Sequence, residues 1–203
     1  MKIYSIVNQK GGVGKTTSVI SLASYLAEKK RVLIIDIDPQ GNATSGLGFD
    51  RHADNPDVYD VIMGEHDIRE AIQSHPHLNV DIVPASPNLA GAEIELVQAI
   101  GREYRVKEAL ETIESSYDYV LVDCPPSLGL LTVNALTASD SVIIPVQCEY
   151  LALEGLTQLN DTVTMVRKYL NPKLEIRGLI MTMYDSRTNL SREVVDEVKS
   201  YFP

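Results

Sequence analysis

The chain predicts a doubly wound α/β fold, a mostly parallel sheet flanked by helices, on three observations. Short apolar runs recur between stretches of helical periodicity, which is how strands read when helices cover both faces of their sheet. A glycine-rich stretch, Gln9-Lys10-Gly11-Gly12-Val13-Gly14-Lys15-Thr16-Thr17, joins the first such run to the first helical pattern. Two later runs end in aspartate, at Asp36 and Asp123, on the edge where open α/β sheets bind ligands.

The elements follow in order. Residues 3–7 read as a strand and 16–29 as a helix, with Val19, Leu22, Ala23 and Leu26 on one face. Residues 31–36 form an apolar run without alternation, a strand buried on both faces, and Pro39 and Gly41 end regular structure behind it. Residues 46–55 are polar and glycine-containing and read as loop; short helices are expected at 58–63 and 68–73. Residues 78–83 alternate as a strand that stops at Pro84, and helices at 88–100 and 102–115 are split at Gly101. A strand at 119–123, helix at 130–137, strand at 141–146, helix at 153–169, strand at 174–183 and helix at 189–201 complete the alternation. Val194, Val195 and Val198 share a face of the last helix.

At 203 residues, 44% hydrophobic and 23% charged, the chain has the size and composition of one soluble globular domain, 1–203, without repeats or linkers. No apolar run approaches the roughly 20 residues of a membrane span, and a strand begins at once without a charged leader, so a cytoplasmic protein is expected. The formal net charge of −10 argues against a uniformly basic nucleic-acid binder but leaves room for a local basic patch. Cys124 and Cys148 are too few and too distant in sequence for a metal knuckle, and core packing is their expected role.

The glycine-rich stretch reads as a phosphate-binding loop. Its glycines let backbone N–H groups turn toward an anion at a helix N-terminus, where the dipole adds positive potential. Lys15 is placed to reach β- and γ-phosphates, and the Thr16 hydroxyl to hold Mg²⁺. Phosphoryl transfer further asks for charge neutralisation and a positioned water. Asp123 is the expected metal carboxylate and Asp38 the residue orienting or deprotonating the water, with Asp36 on the metal's water shell. The plainer alternative for each aspartate is a solvated turn former or helix cap.

The usual G-x-x-x-x-G-K-[ST] pattern is altered here, since Gln9 replaces its first glycine and Lys10 enters the loop. This resembles the deviant Walker A motif of the ParA/MinD ATPases, a P-loop NTPase family. The blocks Asp36-Ile37-Asp38-Pro39-Gln40-Gly41-Asn42-Ala43-Thr44, Asp123-Cys124-Pro125-Pro126-Ser127-Leu128, Pro145-Val146-Gln147-Cys148-Glu149-Tyr150 and Ala152-Leu153-Glu154-Gly155-Leu156 narrow the resemblance to the Soj-type chromosome-partitioning ParA ATPases.

The resemblance implies ATP and Mg²⁺ as cofactors, ATP bound by Lys10, Gly11, Gly12, Val13, Gly14, Lys15, Thr16 and Thr17, and a homodimer formed on ATP binding. In it Lys10 crosses to the phosphates held by the opposite subunit, and Gly11 and Gly12 stay small for that approach. It also implies non-specific binding to double-stranded DNA in the nucleoid and hydrolysis stimulated by a ParB-type centromere-binding partner, with no membrane. Arg187 matches a DNA-contacting arginine of the family; Arg192 and Lys199 follow it, and a solvated charge is the alternative for all three. The family continues beyond Tyr201-Phe202-Pro203 with a further strand, a segment near the adenine base and closing helices, so a shortened chain is expected. Three other readings are a MinD-like membrane-cycling ATPase that positions the division site, an iron-sulfur reductase of the nitrogenase iron-protein kind, and a regulatory nucleotide binder with negligible turnover.

Overall fold

The computed structural model describes residues 1–149 and 152–201, with side chains described for 1–149 and 155–200. Tyr150 of the third sequence block thus lies outside the described residues, as do Phe202 and Pro203. The strands are β1 (Lys2–Ile6), β2 (Val32–Asp36), β3 (Gln73–Ser74), β4 (Val80–Val83), β5 (Tyr119–Asp123), β6 (Ser141–Gln147) and β7 (Glu175–Thr182). The helices are α1 (Lys15–Leu26), α2 (Asn42–Gly46), α3 (Val58–Met63), α4 (Ile68–Ala71), α5 (Leu89–Glu95), α6 (Arg105–Glu111), α7 (Leu130–Ala138), α8 (Ala152–Tyr169) and α9 (Asn189–Tyr201); a 3₁₀ turn, Leu96–Gln98, extends α5.

The sheet runs β3-β4-β2-β5-β1-β6-β7, parallel throughout except for the β3–β4 pair. Burial on both faces explains the unbroken apolar runs. In β2, Val32 and Ile34 join Val19 and Ala23 of α1 in one core, while Leu33 and Ile35 join residues of α3, α5, α6, α7 and α8 in the other. Full burial of each such aliphatic side chain stabilises by roughly 1.5–3 kcal/mol before entropy is counted. Register then sets the site, because Ile6 and Asp36 both lie opposite Asp123. The C-terminal ends of β1, β2 and β5 are level, and the glycine-rich loop leaves β1 beside two carboxylates.

The structure departs from the sequence-based expectations where local pattern is weak. Helix α1 closes at Leu26, with Ala27 as its cap, short of residue 29. A short helix, α2, forms at Asn42–Gly46, where no periodicity announces one. The end of the expected 68–73 helix is instead the two-residue strand β3, antiparallel to β4. The expected 88–100 helix gives way to the 3₁₀ turn after Glu95, and α6 spans only Arg105–Glu111. Gly101 between them has φ +67°, a left-handed conformation that a helix cannot continue through. No described helix is long and apolar enough to cross a membrane.

Candidate nucleotide site

The loop is shaped by two left-handed glycines, Gly12 (φ +74°) and Gly14 (φ +89°), conformations that a side chain would strain. Gly14 is also the N-cap of α1 and makes no side-chain capping bond, so the first turn of α1 presents free N–H groups to the loop. Val13 anchors it from beneath: its side chain is buried, and its carbonyl accepts from Thr182 Oγ1 of β7 at 2.9 Å. Asn8 fastens the entry, donating to Pro145 O at 2.7 Å and accepting from Lys10 N at 2.9 Å. Among the described residues nothing crowds Gly11 or Gly12; a Cβ on either would meet none of their atoms within 4 Å. Thr17 is exposed, on the outer side of the first turn of α1.

Lys15 is buried, and its ammonium donates to Lys10 O at 3.1 Å. Desolvation lowers its pKa, opposed by the nearby Asp123 and Asp38 carboxylates. Thr16 Oγ1 donates to Asp123 Oδ2 at 2.7 Å, while Asp123 Oδ1 is buried with no partner among the described residues. Burial first, and then the Asp36 charge, raise Asp123 to about 7. An unpartnered buried carboxylate oxygen beside a threonine hydroxyl and a second carboxylate fits a hard cation, whose charge would relieve both effects. Among the described residues no three His, Cys, Asp or Glu side chains gather as a metal cluster.

Asp36 is held by hydrogen bonds from its own chain. Its Oδ2 accepts from Thr44 N at 2.8 Å and Thr44 Oγ1 at 2.7 Å, and its Oδ1 from Asp38 N at 3.2 Å, so it holds α2 and the following loop in place. Burial nevertheless raises it to about 6. Asp38 is buried in that loop, and its Oδ1 accepts from Gln40 N at 2.9 Å. Arg51 lies over the same loop, donating to Gln40 O and packing on Gly41.

Lys10 points toward Glu149, with Nζ 3.0 Å from Oε2. Glu149 also accepts from Gln147, and the group borders a cavity of about 610 Å³ lined by Lys10, Pro126, Ser127, Leu128, Gln147 and Gln158. Arg187 is not part of this site. It lies in the turn after β7 with its guanidinium paired to Asp185, at 2.9 Å from Nε to Oδ1 and 2.6 Å from Nη2 to Oδ2. Arg192 and Lys199 are exposed on α9, Arg192 donating to Ser186 O at 3.0 Å. Cys124 and Cys148 are buried free thiols, which fits core packing.

Asn8, Thr44, Glu149 and Thr182 are the site residues that sequence reasoning missed. Thr44 and Glu149 stand inside blocks singled out in the sequence, but nothing local says what they bond to. Loop, lysine, Thr16–Asp123 pair and level strand ends define a P-loop nucleotide-binding protein.

A family model described as an AAA domain matches residues 1–176. Sporulation initiation inhibitor protein Soj of Bacillus subtilis (strain 168) is 58% identical over 202 residues, covering 99% of this chain and 80% of that protein. Chromosome partitioning protein ParA of Myxococcus xanthus (strain DK1622) is 50% identical over 202 residues, covering 99% of this chain and 71% of that one. The crystal structure of cobyrinic acid a,c-diamide synthase from Mycobacterium smegmatis with bound ATP analog and magnesium aligns with TM-score 0.96 and 42% identity, over 100% of this chain and 83% of that one. The chain belongs to the Soj/ParA family of chromosome-partitioning ATPases. These relatives support the partitioning reading and not the membrane-cycling alternative.

Proposed function

We propose that this chain is a Mg²⁺-dependent ATPase that dimerises around bound ATP, binds double-stranded DNA without sequence preference and serves chromosome or plasmid partitioning with a ParB-type partner. The observation that carries the reading is the Thr16–Asp123 hydrogen bond with its unpartnered buried Oδ1, set beneath a left-handed glycine loop at a helix N-terminus. Family membership supports the biological role, and the ATP analogue and magnesium in the aligned synthase support the cofactors.

Thr16 and Asp123 would hold magnesium, with Asp36 near its water shell, and the ion would neutralise charge on the transferred phosphoryl group. Lys15 exchanges the Lys10 carbonyl for β- and γ-phosphate oxygens. Asp38, fixed at Oδ1 by the Gln40 amide, orients the attacking water through Oδ2 or takes its proton. Lys10 leaves Glu149 and meets the phosphates bound by the opposite subunit, adding positive charge where it develops. The protein acts in the cytoplasm on the nucleoid, with slow turnover that the partner accelerates. Residues 1–203 make up a single ATPase domain.

The test is DNA binding by Asp38→Ala with ATP, with ADP and without nucleotide, on unrelated duplexes across a salt series. ATP-dependent, sequence-independent and salt-sensitive binding is expected. A variant that dimerises with ATP yet ignores DNA would overturn the DNA assignment, and ATP-dependent sedimentation with liposomes would return the membrane reading.

A further inference from the structure

Helix α7 begins just past the loop Cys124-Pro125-Pro126-Ser127-Leu128-Gly129, which follows Asp123. Most of this 9-residue helix is buried, yet its N-cap, Gly129, has no side chain and makes no capping bond. The start of the helix itself is half-buried, and its free N–H groups gain from a nearby acceptor. Glu93, from the distant helix α5, supplies one: its Oε1 accepts from Leu131 N at 3.4 Å. A carboxylate there also faces the positive end of the helix dipole.

Gly129 and Glu93 are complementary in shape. Gly129 has φ −76°, which any residue adopts, so its backbone does not require glycine. Space does. A Cβ at this position would lie 2.9 Å from Glu93 Cδ and overlap Oε1. A second bond ties the helix start back to the loop, Thr132 Oγ1 donating to Ser127 O at 2.7 Å. Ser127 and Leu128 in turn line the cavity beside Lys10. The path from Glu93 to the reaction is therefore short: carboxylate, first turn of α7, loop 124–129, and then Asp123 on one side and Lys10 on the other.

We propose that Glu93 is a positioning residue for phosphoryl transfer, which caps α7 from α5 and so holds loop 124–129 where hydrolysis needs it. This rests on the ATPase reading above. Glu93 touches neither nucleotide nor metal; it fixes the segment that carries the chemistry, and Gly129 is the counterpart that leaves room for it.

Three variants of the full chain test it: Glu93→Ala, Gly129→Ala and Glu93→Gln. Amide exchange is followed over 124–131, together with affinity for a fluorescent ADP analogue and the turnover rate at saturating ATP with DNA present. Glu93→Ala and Gly129→Ala should speed exchange over 124–131 about fivefold to tenfold and lower kcat about tenfold, with nucleotide affinity changed less than about twofold. Glu93→Gln keeps an oxygen acceptor in the same place and should retain at least about half of the wild-type kcat. Unchanged kcat in Glu93→Ala, or exchange raised throughout the chain with affinity and kcat falling together, overturns the proposal. A wild-type chain that binds ATP without turning it over overturns the ATPase reading itself. Normal wild-type turnover beside an indifferent Glu93→Ala overturns this inference alone.

Discussion

At the scale of single residues, the site is a balance between buried charge and the ligand that would relieve it. Lys15→Ala removes the only lysine buried inside the loop and should weaken nucleotide binding by about 100-fold or more, read by equilibrium titration. If Asp38 serves the water and not the phosphates, as proposed, Asp38→Ala should leave ATP affinity within a few-fold while cutting turnover by about 100-fold. The carboxylates also make stability depend on pH. Asp123 is raised to about 7 and Asp36 to about 6, chiefly by burial, against an unfolded value near 4. The folded chain therefore holds protons more tightly than the unfolded one. Their stabilising contribution is complete below about pH 4 and is lost as pH rises through about 6 and 7. In metal-free protein, Asp123→Asn should gain urea stability relative to wild type as pH goes from 5 to 8; a constant difference would contradict this. Lys15, Thr16 and Asp123 were legible in the sequence because their chemistry depends on short spacings and strand ends. The hold of Glu149 on Lys10 and of Thr44 on Asp36 was not, since no periodicity encodes which side chains meet across loops.

At the scale of elements, the well-read segments are those whose burial is one-sided or complete along their length. Strand β5 matches the expected 119–123 because both its faces are covered. Ile34, fully buried in β2, should cost about 3 kcal/mol when cut to alanine, measured by urea unfolding. Short elements held by tertiary bonds were illegible. Helix α2 exists because Asp36 grips Thr44 and Ala43 is buried, neither of which a five-residue window reveals. Helix α3 is the contrasting case, with a capping box written locally: Asp57 accepts from Tyr59 N, and Asp60 Oδ2 accepts from Asp57 N at 2.8 Å. Asp57→Ala should cost about 1 kcal/mol in the same urea measurement, and Asp57→Ser much less.

Across the whole molecule, the proposed DNA binding asks an acidic chain of net charge −10 for a local basic surface, and the guanidinium of Arg187, the proposed contact, is paired to Asp185 two residues before it. An exposed ion pair contributes little to stability, so freeing Arg187 costs the fold almost nothing. Asp185→Asn should therefore tighten DNA binding a few-fold without changing nucleotide affinity, whereas Arg187→Ala should weaken it and flatten its salt dependence by about one phosphate contact. Filter binding across a salt series reads both. The strand leading to that turn also ends on the nucleotide loop, through Thr182 Oγ1 and Val13 O, and Met183 just beyond is the one described non-glycine residue with positive φ, at +54°. Were ATP and DNA coupled through this strand, linkage would make the coupling reciprocal: whatever factor ATP adds to DNA affinity, DNA must return to ATP affinity. If the proposed DNA binding holds, DNA would act as a retention device for nucleotide, and a DNA-bound molecule should keep its ATP longer than one that has let go.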